Sequence, residues 1–169
     1  MPFTSQQNLL IKAAILADPT LASQPSDGDG LNFIADALNA VASPDYFVWR
    51  KSLSRHEILT GTSELSTTFS WAGGSYITRS QGERDAFREM FNSTGTVDPS
   101  LASIKAAFAD IFSGTGGAGN RTHIDAMSKR RALRIEKILA TGNGAFSTPS
   151  TLGYEGTISP NEVDAARRS

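Results

Sequence analysis

The chain has 169 residues, a formal net charge of −1 and no cysteine. That length is enough to bury a core without metal or disulfide staples. The missing cysteines exclude a disulfide framework, a thiolate metal site and a cysteine nucleophile. No apolar run approaches the roughly 20 residues that span a bilayer, and MPFTSQQNLLIKAAILADP lacks the basic stretch that opens a signal peptide.

Taken in chain order, Thr4 to Gln7 has the T-x-x-Q form of a capping box, and Leu9, Leu10, Ala13, Ala14 and Leu16 follow at helical spacings. Asp18-Pro19 ends that helix. SQPSDGDG reads as a polar turn, because the D-x-D-x-D and closing Glu of a calcium loop are absent. In LNFIADALNAVA, residues Phe33, Ile34, Ala37, Leu38 and Val41 fall on one helical face. Ser43-Pro44 has the form of a cap with proline at the first helical position, so PDYFVWRKSL is expected to be helical. Ser54 to Glu57 is a second capping box.

Residues 61–77, GTSELSTTFSWAGGSYI, read either as a short β-hairpin turning at Ala72-Gly73-Gly74 or as an ordered loop with Phe69, Trp71 and Tyr76 turned inward. Thr78 and Gln81 have capping-box spacing before RDAFREMF. Asp98-Pro99-Ser100 opens a helix with Leu101, Ile104, Phe108, Ile111 and Phe112 in one apolar stripe. The longest helix is expected over residues 122–140, stopped by Thr141-Gly142. Residues 142–158 are rich in Gly, Ser, Thr and Pro and read as extended, before Ser159-Pro160 opens a last helix. The expectation is a mainly α, single compact helical domain over 1–141, with an extended C-terminal arm and short terminal helix over 142–169.

The segment GTGGAG, Gly114 to Gly119, matches G-x-G-x-x-G. A dinucleotide fingerprint needs a strand before the glycines, whereas LASIKAAFADIF has helical periodicity. A phosphate loop needs lysine where Asn120 and Arg121 stand. The glycines read instead as a supple connection between two helices. His56 and His123 lack a ligand partner at i+3 or i+4, and no G-x-S-x-G elbow is present. These patterns point away from an enzyme, with no cofactor, metal or catalytic residue expected.

Charge is unevenly placed. Residues 1–75 hold four Lys/Arg against seven Asp/Glu, and Arg121 to Lys137 hold six against two. Such polarity suits docking between unlike surfaces. Arg121, Lys129, Arg130, Arg134 and Lys137 are therefore candidate interaction residues, and they also admit phosphate contact by a DNA-contacting packaging or assembly accessory. Aromatic interleaving for base stacking is missing. Arg131 falls within the apolar arc, either with its stem laid on the core or paired with Asp110, Asp85 or Glu83. In the arm, Phe146, Leu152 and Tyr154 are anchors either for strand addition to a neighbour or for folding back onto the chain's own helices.

Several stretches together resemble a family of small structural proteins of tailed bacteriophages. They are Val48-Trp49-Arg50, YITRSQGERDAFREMF (76–91), DPSL (98–101), FADIFSG (108–114), NRTHI (120–124), RRALRIEKILATGNG (130–144) and the ending YEGTIS followed by VDAARRS. The resemblance runs over nearly the whole chain and is weakest in the first 30 residues. The family's RAEKLFATG reads RIEKILATG here, a conservative departure. The resemblance implies a non-enzymatic virion protein, a head–tail connector (adaptor of the neck) or tail-completion subunit. It would form a homo-oligomeric ring and dock on portal, neck or tail proteins, in the virion and, during assembly, in the host cytoplasm. The family brings no catalytic motif.

Overall fold

The computed structural model describes residues 3–169; Met1 and Pro2, which open the 1–141 span, lie outside the described residues. The first helix, α1 (Ser5–Ala17), starts where the capping box places it. The Thr4 hydroxyl accepts from the Gln7 N–H at 3.2 Å, and the Gln7 side chain accepts from the Thr4 N–H at 2.9 Å. Asp18 then caps the short α2 (Pro19–Ala22), and Asp27 caps α3 (Gly28–Asn39) through the Gly30 N–H at 3.0 Å. SDGDG is thus a helix start, in which an aspartate satisfies an orphan backbone donor.

After α3 come β1 (Phe47–Trp49), β2 (Leu53–Ser54), α4 (Arg55–Thr60), a 3-10 turn at Gly73–Ser75, α5 (Gln81–Glu89), β3 (Thr96–Val97) and α6 (Ala102–Ile111). Then α7 (Gly114–Met127), β4 (Lys129–Arg131), α8 (Arg134–Leu139) and α9 (Pro160–Arg168) complete the chain. The fold is mainly α. Its only strand pairs among the described residues are β1 with β4 and β2 with β3, the latter antiparallel with Leu53 opposite Val97. No described helix is long and apolar enough to cross a membrane.

The contacts divide the chain into two units, one of residues up to Val48 with Arg131–Ser169, the other of Trp49–Arg130. The division drawn from composition at 141/142 does not coincide with this one. Arm residues Ile158, Val163 and Ala166 are buried with Ile11, Ile15, Ile34, Leu38 and Ile135 in an aliphatic core. There Asn39 holds the backbone of Ile158 from both sides, accepting its N–H at 2.8 Å and donating to its carbonyl at 2.9 Å. Glu136, itself buried, accepts the Leu133 and Gly156 N–H groups at 2.9 and 3.1 Å. Backbone groups of the glycine-rich arm therefore find side-chain partners where no ladder exists to pair them.

In the second unit the core is aromatic. Phe69, Tyr76, Phe87, Phe91, Phe108 and Phe112 are buried together with Leu53, Ile58, Ile111 and Ile124. Phe87 has no exposed surface and lies 5.4–6.3 Å, centroid to centroid, from Phe69, Tyr76, Phe91, Phe108 and Phe112. Most of these pairs are edge-on or tilted, the arrangement ring quadrupoles favour.

Three expectations are corrected, and one segment that had two readings is decided. The helix expected over PDYFVWRKSL is not formed. Phe47-Val48-Trp49 is a strand with Val48 fully buried, because an aromatic and β-branched alternation with a pairing partner outweighs the Ser-Pro start signal. The helix expected over 122–140 is two helices broken by β4. Its apparently continuous face serves two cores, Ile124 and Met127 in one and Ile135 and Leu139 in the other. Residues 61–77 do not form a hairpin but a loop, in which Phe69 and Tyr76 turn inward and Trp71 stays 47% exposed. The cap of α5 is Ser80 with Glu83, not Thr78 with Gln81.

The glycine segment is also not a joint. The break between α6 and α7 is confined to Phe112-Ser113, with Gly114 left-handed at φ 73° and the remaining glycines helical. At Gly116 and Gly117 a side chain is excluded by packing. A Cβ on Gly117 would strike the Phe112 carbonyl and the Arg79 guanidinium, and one on Gly116 would strike the Gly74 carbonyl. The segment is glycine-rich because α7 runs against the 3-10 turn at backbone distance.

Candidate interaction surfaces

Two fully buried polar residues of α7 hold the 61–77 loop. Asn120 accepts the Ser70 N–H at 2.8 Å and donates to the carbonyls of Ser70 and Ser75 at 3.0 and 3.2 Å. His123 Nε2 lies 2.8 Å from the Ile58 carbonyl, so it carries the proton. Its Nδ1 then accepts from the Thr67 hydroxyl at 3.2 Å. Every ring nitrogen is engaged internally, which makes His123 a structural residue. His56 is exposed on α4. Among the described residues, no group of three or more His, Asp or Glu converges as a metal set would.

The basic residues of 121–137 are spread over α7, β4 and α8. Arg121 donates through Nη1 to the Phe112 carbonyl and, at 2.9 Å, to the Gly114 carbonyl, closing the α6–α7 junction. Lys129 is buried and pairs with Asp125 at 2.6 Å. Its ammonium also lies 5.2 Å from the Trp49 ring. Arg130 is half-buried in β4. Arg131 pairs with Asp45 at 3.3 Å, not with Asp110, Asp85 or Glu83. Arg134 pairs with Asp18 at 2.9 Å, and that hydrogen bond is the main cause holding the Asp18 carboxyl below its ordinary value. Lys137 stands over the Tyr46 ring at 5.4 Å. Charges committed to internal partners do not form a phosphate-facing stripe, so the arrangement lends no support to the DNA-contacting alternative.

The arm anchors fold onto their own unit. Phe146 meets Phe47 edge-on at 5.0 Å, Leu152 is buried with Val48 and Ala132, and Tyr154 packs on Phe3 at 4.6 Å while its hydroxyl donates to the Thr157 carbonyl at 2.6 Å. Burial, with Glu162 and Glu136 nearby, raises the Tyr154 hydroxyl above its ordinary range.

The surfaces left outward are different ones. In α1 the buried side chains are Ile11 and Ile15, whereas Leu9, Leu10 and Leu16 are 56%, 47% and 65% exposed. With Ala13 and Ala17, also exposed, they form a stripe at i, i+1, i+4, i+7 and i+8. The stripe carries no charge. The signal was present in the sequence, since a helix apolar on all sides has a second face to cover. A second outward apolar residue, Phe33, stands on α3 between two aspartates and belongs to no core cluster of described residues. A third feature is a cleft of ≈ 190 Å³ between α6 and α7, lined by Lys105, Phe108, Ala109, Arg121, Ile124, Asp125 and Ser128. At its edge the Lys105 ammonium lies 4.2 Å from the Trp49 ring.

No protein-family model, curated protein or solved structure matches the chain.

Proposed function

We propose that the chain is a non-enzymatic structural subunit of a tailed-bacteriophage particle, a head–tail connector or tail-completion protein of the neck, acting by ring assembly and protein docking. The observation that carries the docking part is the outward face of α1. Three leucines and two alanines on one helical stripe, with Lys12 at its border, stand in solvent, the kind of contiguous apolar surface that marks a protein–protein site. In this reading the α1 stripe is the surface offered to an adjoining portal, neck or tail protein. The particle setting is supported by the resemblance carried by YITRSQGERDAFREMF, FADIFSG and RIEKILATG, in that order and spacing.

The test is quantitative mass spectrometry of purified particles of the phage that encodes the chain, counting it against the major capsid protein. A small fixed number, about six or twelve per particle as a rotational ring requires, is expected. Absence from the particle, or hundreds of copies, overturns the neck assignment. In the same phage, Leu10→Glu with Leu16→Glu is expected to give heads and tails that do not join.

A further inference from the structure

The acidic residues around Phe33 and the basic cleft between α6 and α7 are complementary, and we propose that they dock head to tail between two copies of this chain. This deepens the assembly reading above by naming the surfaces through which like subunits meet.

The donor surface follows from helix geometry. Asp29, Asn32, Phe33 and Asp36 are all exposed on α3 and fall within about 100° of its circumference at 100° per residue. Phe33 is four residues after Asp29 and three before Asp36, so a carboxylate stands on each side of the ring at roughly 5–6 Å between Cβ atoms. Phe33 is 47% exposed. Arg167, which bonds the chain just before α3, is engaged by the carbonyls of Pro25 and Gln24 at 3.0 and 3.1 Å.

The acceptor has the opposite character. Its walls are Phe108, Ala109 and Ile124, and a cation stands in the lining from each helix, Lys105 from α6 and Arg121 from α7. The acidic member, Asp125, is paired with buried Lys129. At ≈ 190 Å³ the cleft is smaller than the roughly 300 Å³ at which small-molecule pockets begin, a size that suits one apolar side chain. A phenyl ring carrying a carboxylate on either side meets those requirements, the ring against Phe108 and Ile124 and a carboxylate toward exposed Lys105, with the Arg121 guanidinium, held by the Phe112 and Gly114 carbonyls, adding positive potential at the other wall.

The two surfaces are different patches of one sequence, so the contact is heterologous. A heterologous contact can propagate, as ring or filament growth requires, where a self-complementary patch stops at two.

Sedimentation velocity of the full chain over a wide concentration range, at low and at about 0.5 M salt, tests this. The wild type is expected to form species larger than a dimer, weakened several-fold by the salt that screens surface charges. Phe33→Ser, Asp36→Lys and Lys105→Glu each alter an exposed side chain, and each is expected to weaken association at least tenfold with an unchanged far-ultraviolet spectrum. Asp36→Lys combined with Lys105→Glu in one chain should recover most of that loss. Four results overturn the proposal: a wild-type chain that stays monomeric throughout, association that stops at a dimer, association indifferent to Phe33→Ser and Lys105→Glu, or failure of the combined exchange to recover. A monomeric chain that is still counted at a ring-like number in particles sinks this docking and spares the neck reading. An associating chain absent from particles does the reverse.

Discussion

The two units of this protein solve the same burial problem with different chemistry. The unit of the terminal segments packs helices through aliphatic side chains, Ile11, Ile15, Ile34, Leu38 and Ile135, spaced along α1, α3 and α8. The Trp49–Arg130 unit packs α5, α6 and α7 around rings, and takes two of those rings, Phe69 and Tyr76, from a loop without regular structure. An aliphatic helix face repeats every three or four residues and needs only a facing helix. A loop that contributes to a core must have its own backbone groups satisfied, and here Asn120 supplies partners from α7 while His123 bonds the Thr67 hydroxyl. The aromatic unit thus depends on buried polar groups to hold its apolar ones in place.

The sharpest way to break this contrast is at the centre of each core. Phe87→Ala removes a fully buried ring surrounded by five others and is expected to cost about 3–5 kcal/mol in urea unfolding. Ile34→Ala should cost about 2–5 kcal/mol by the same measurement. The two are told apart optically. Both tryptophans, Trp49 and Trp71, lie in the aromatic unit. Phe87→Ala should therefore change the native near-ultraviolet circular dichroism, and Ile34→Ala should leave it close to wild type. Equal spectral changes would mean that the cores are not separately organised.

The glycines of α7 give a paired test of smaller size. Gly117→Ala places a methyl against the Phe112 carbonyl and Arg79, and about 1–3 kcal/mol of stability should be lost. Gly119, two residues on in the same helix, faces open space. There alanine should stabilise by roughly 0.5–1 kcal/mol, the ordinary helical penalty of glycine. If both substitutions stabilise, the close approach of Gly117 to the Phe112 carbonyl and Arg79 is wrong.

The smallest expected effect is a pH dependence in the aromatic unit. Partial burial pushes the Glu57 carboxyl up, but Arg50 together with the Ser54 N–H and hydroxyl outweigh it and hold the group down at about 2, against an ordinary 4.5. The folded pKa lies below the unfolded one, so the stabilisation is complete above pH 4.5 and is lost as pH falls toward 2. Glu57→Gln should flatten the acid limb of the stability curve in that window, with little difference from wild type near pH 2. An unchanged acid limb would show that the Arg50–Glu57 pair adds nothing to folding.

What the sequence determined by itself was whatever depends on residues within one helical turn. The capping boxes Thr4–Gln7, Ser54–Glu57 and Ser159–Glu162 start α1, α4 and α9, because a side chain reaching the N–H three residues on needs no distant partner. The mainly α class follows from the same local periodicities. Tertiary structure alone decided the rest. The run from Thr122 to Ala140 has helical spacing throughout, yet Lys129–Arg131 is extended because β1 supplies the hydrogen-bonding partner that a helix would have found within itself. Arg131 and Arg134 find Asp45 and Asp18, 86 and 116 residues away, and no spacing rule reaches so far. The sequence signals that α1 has a second apolar face, but not which face stays outside. α1 has apolar residues on every side, and only the position of α8 and α9 decides that Ile11 and Ile15 turn inward and Leu9, Leu10 and Leu16 outward. Periodicity identifies a face, but a face becomes core or surface only when another part of the chain removes water from it.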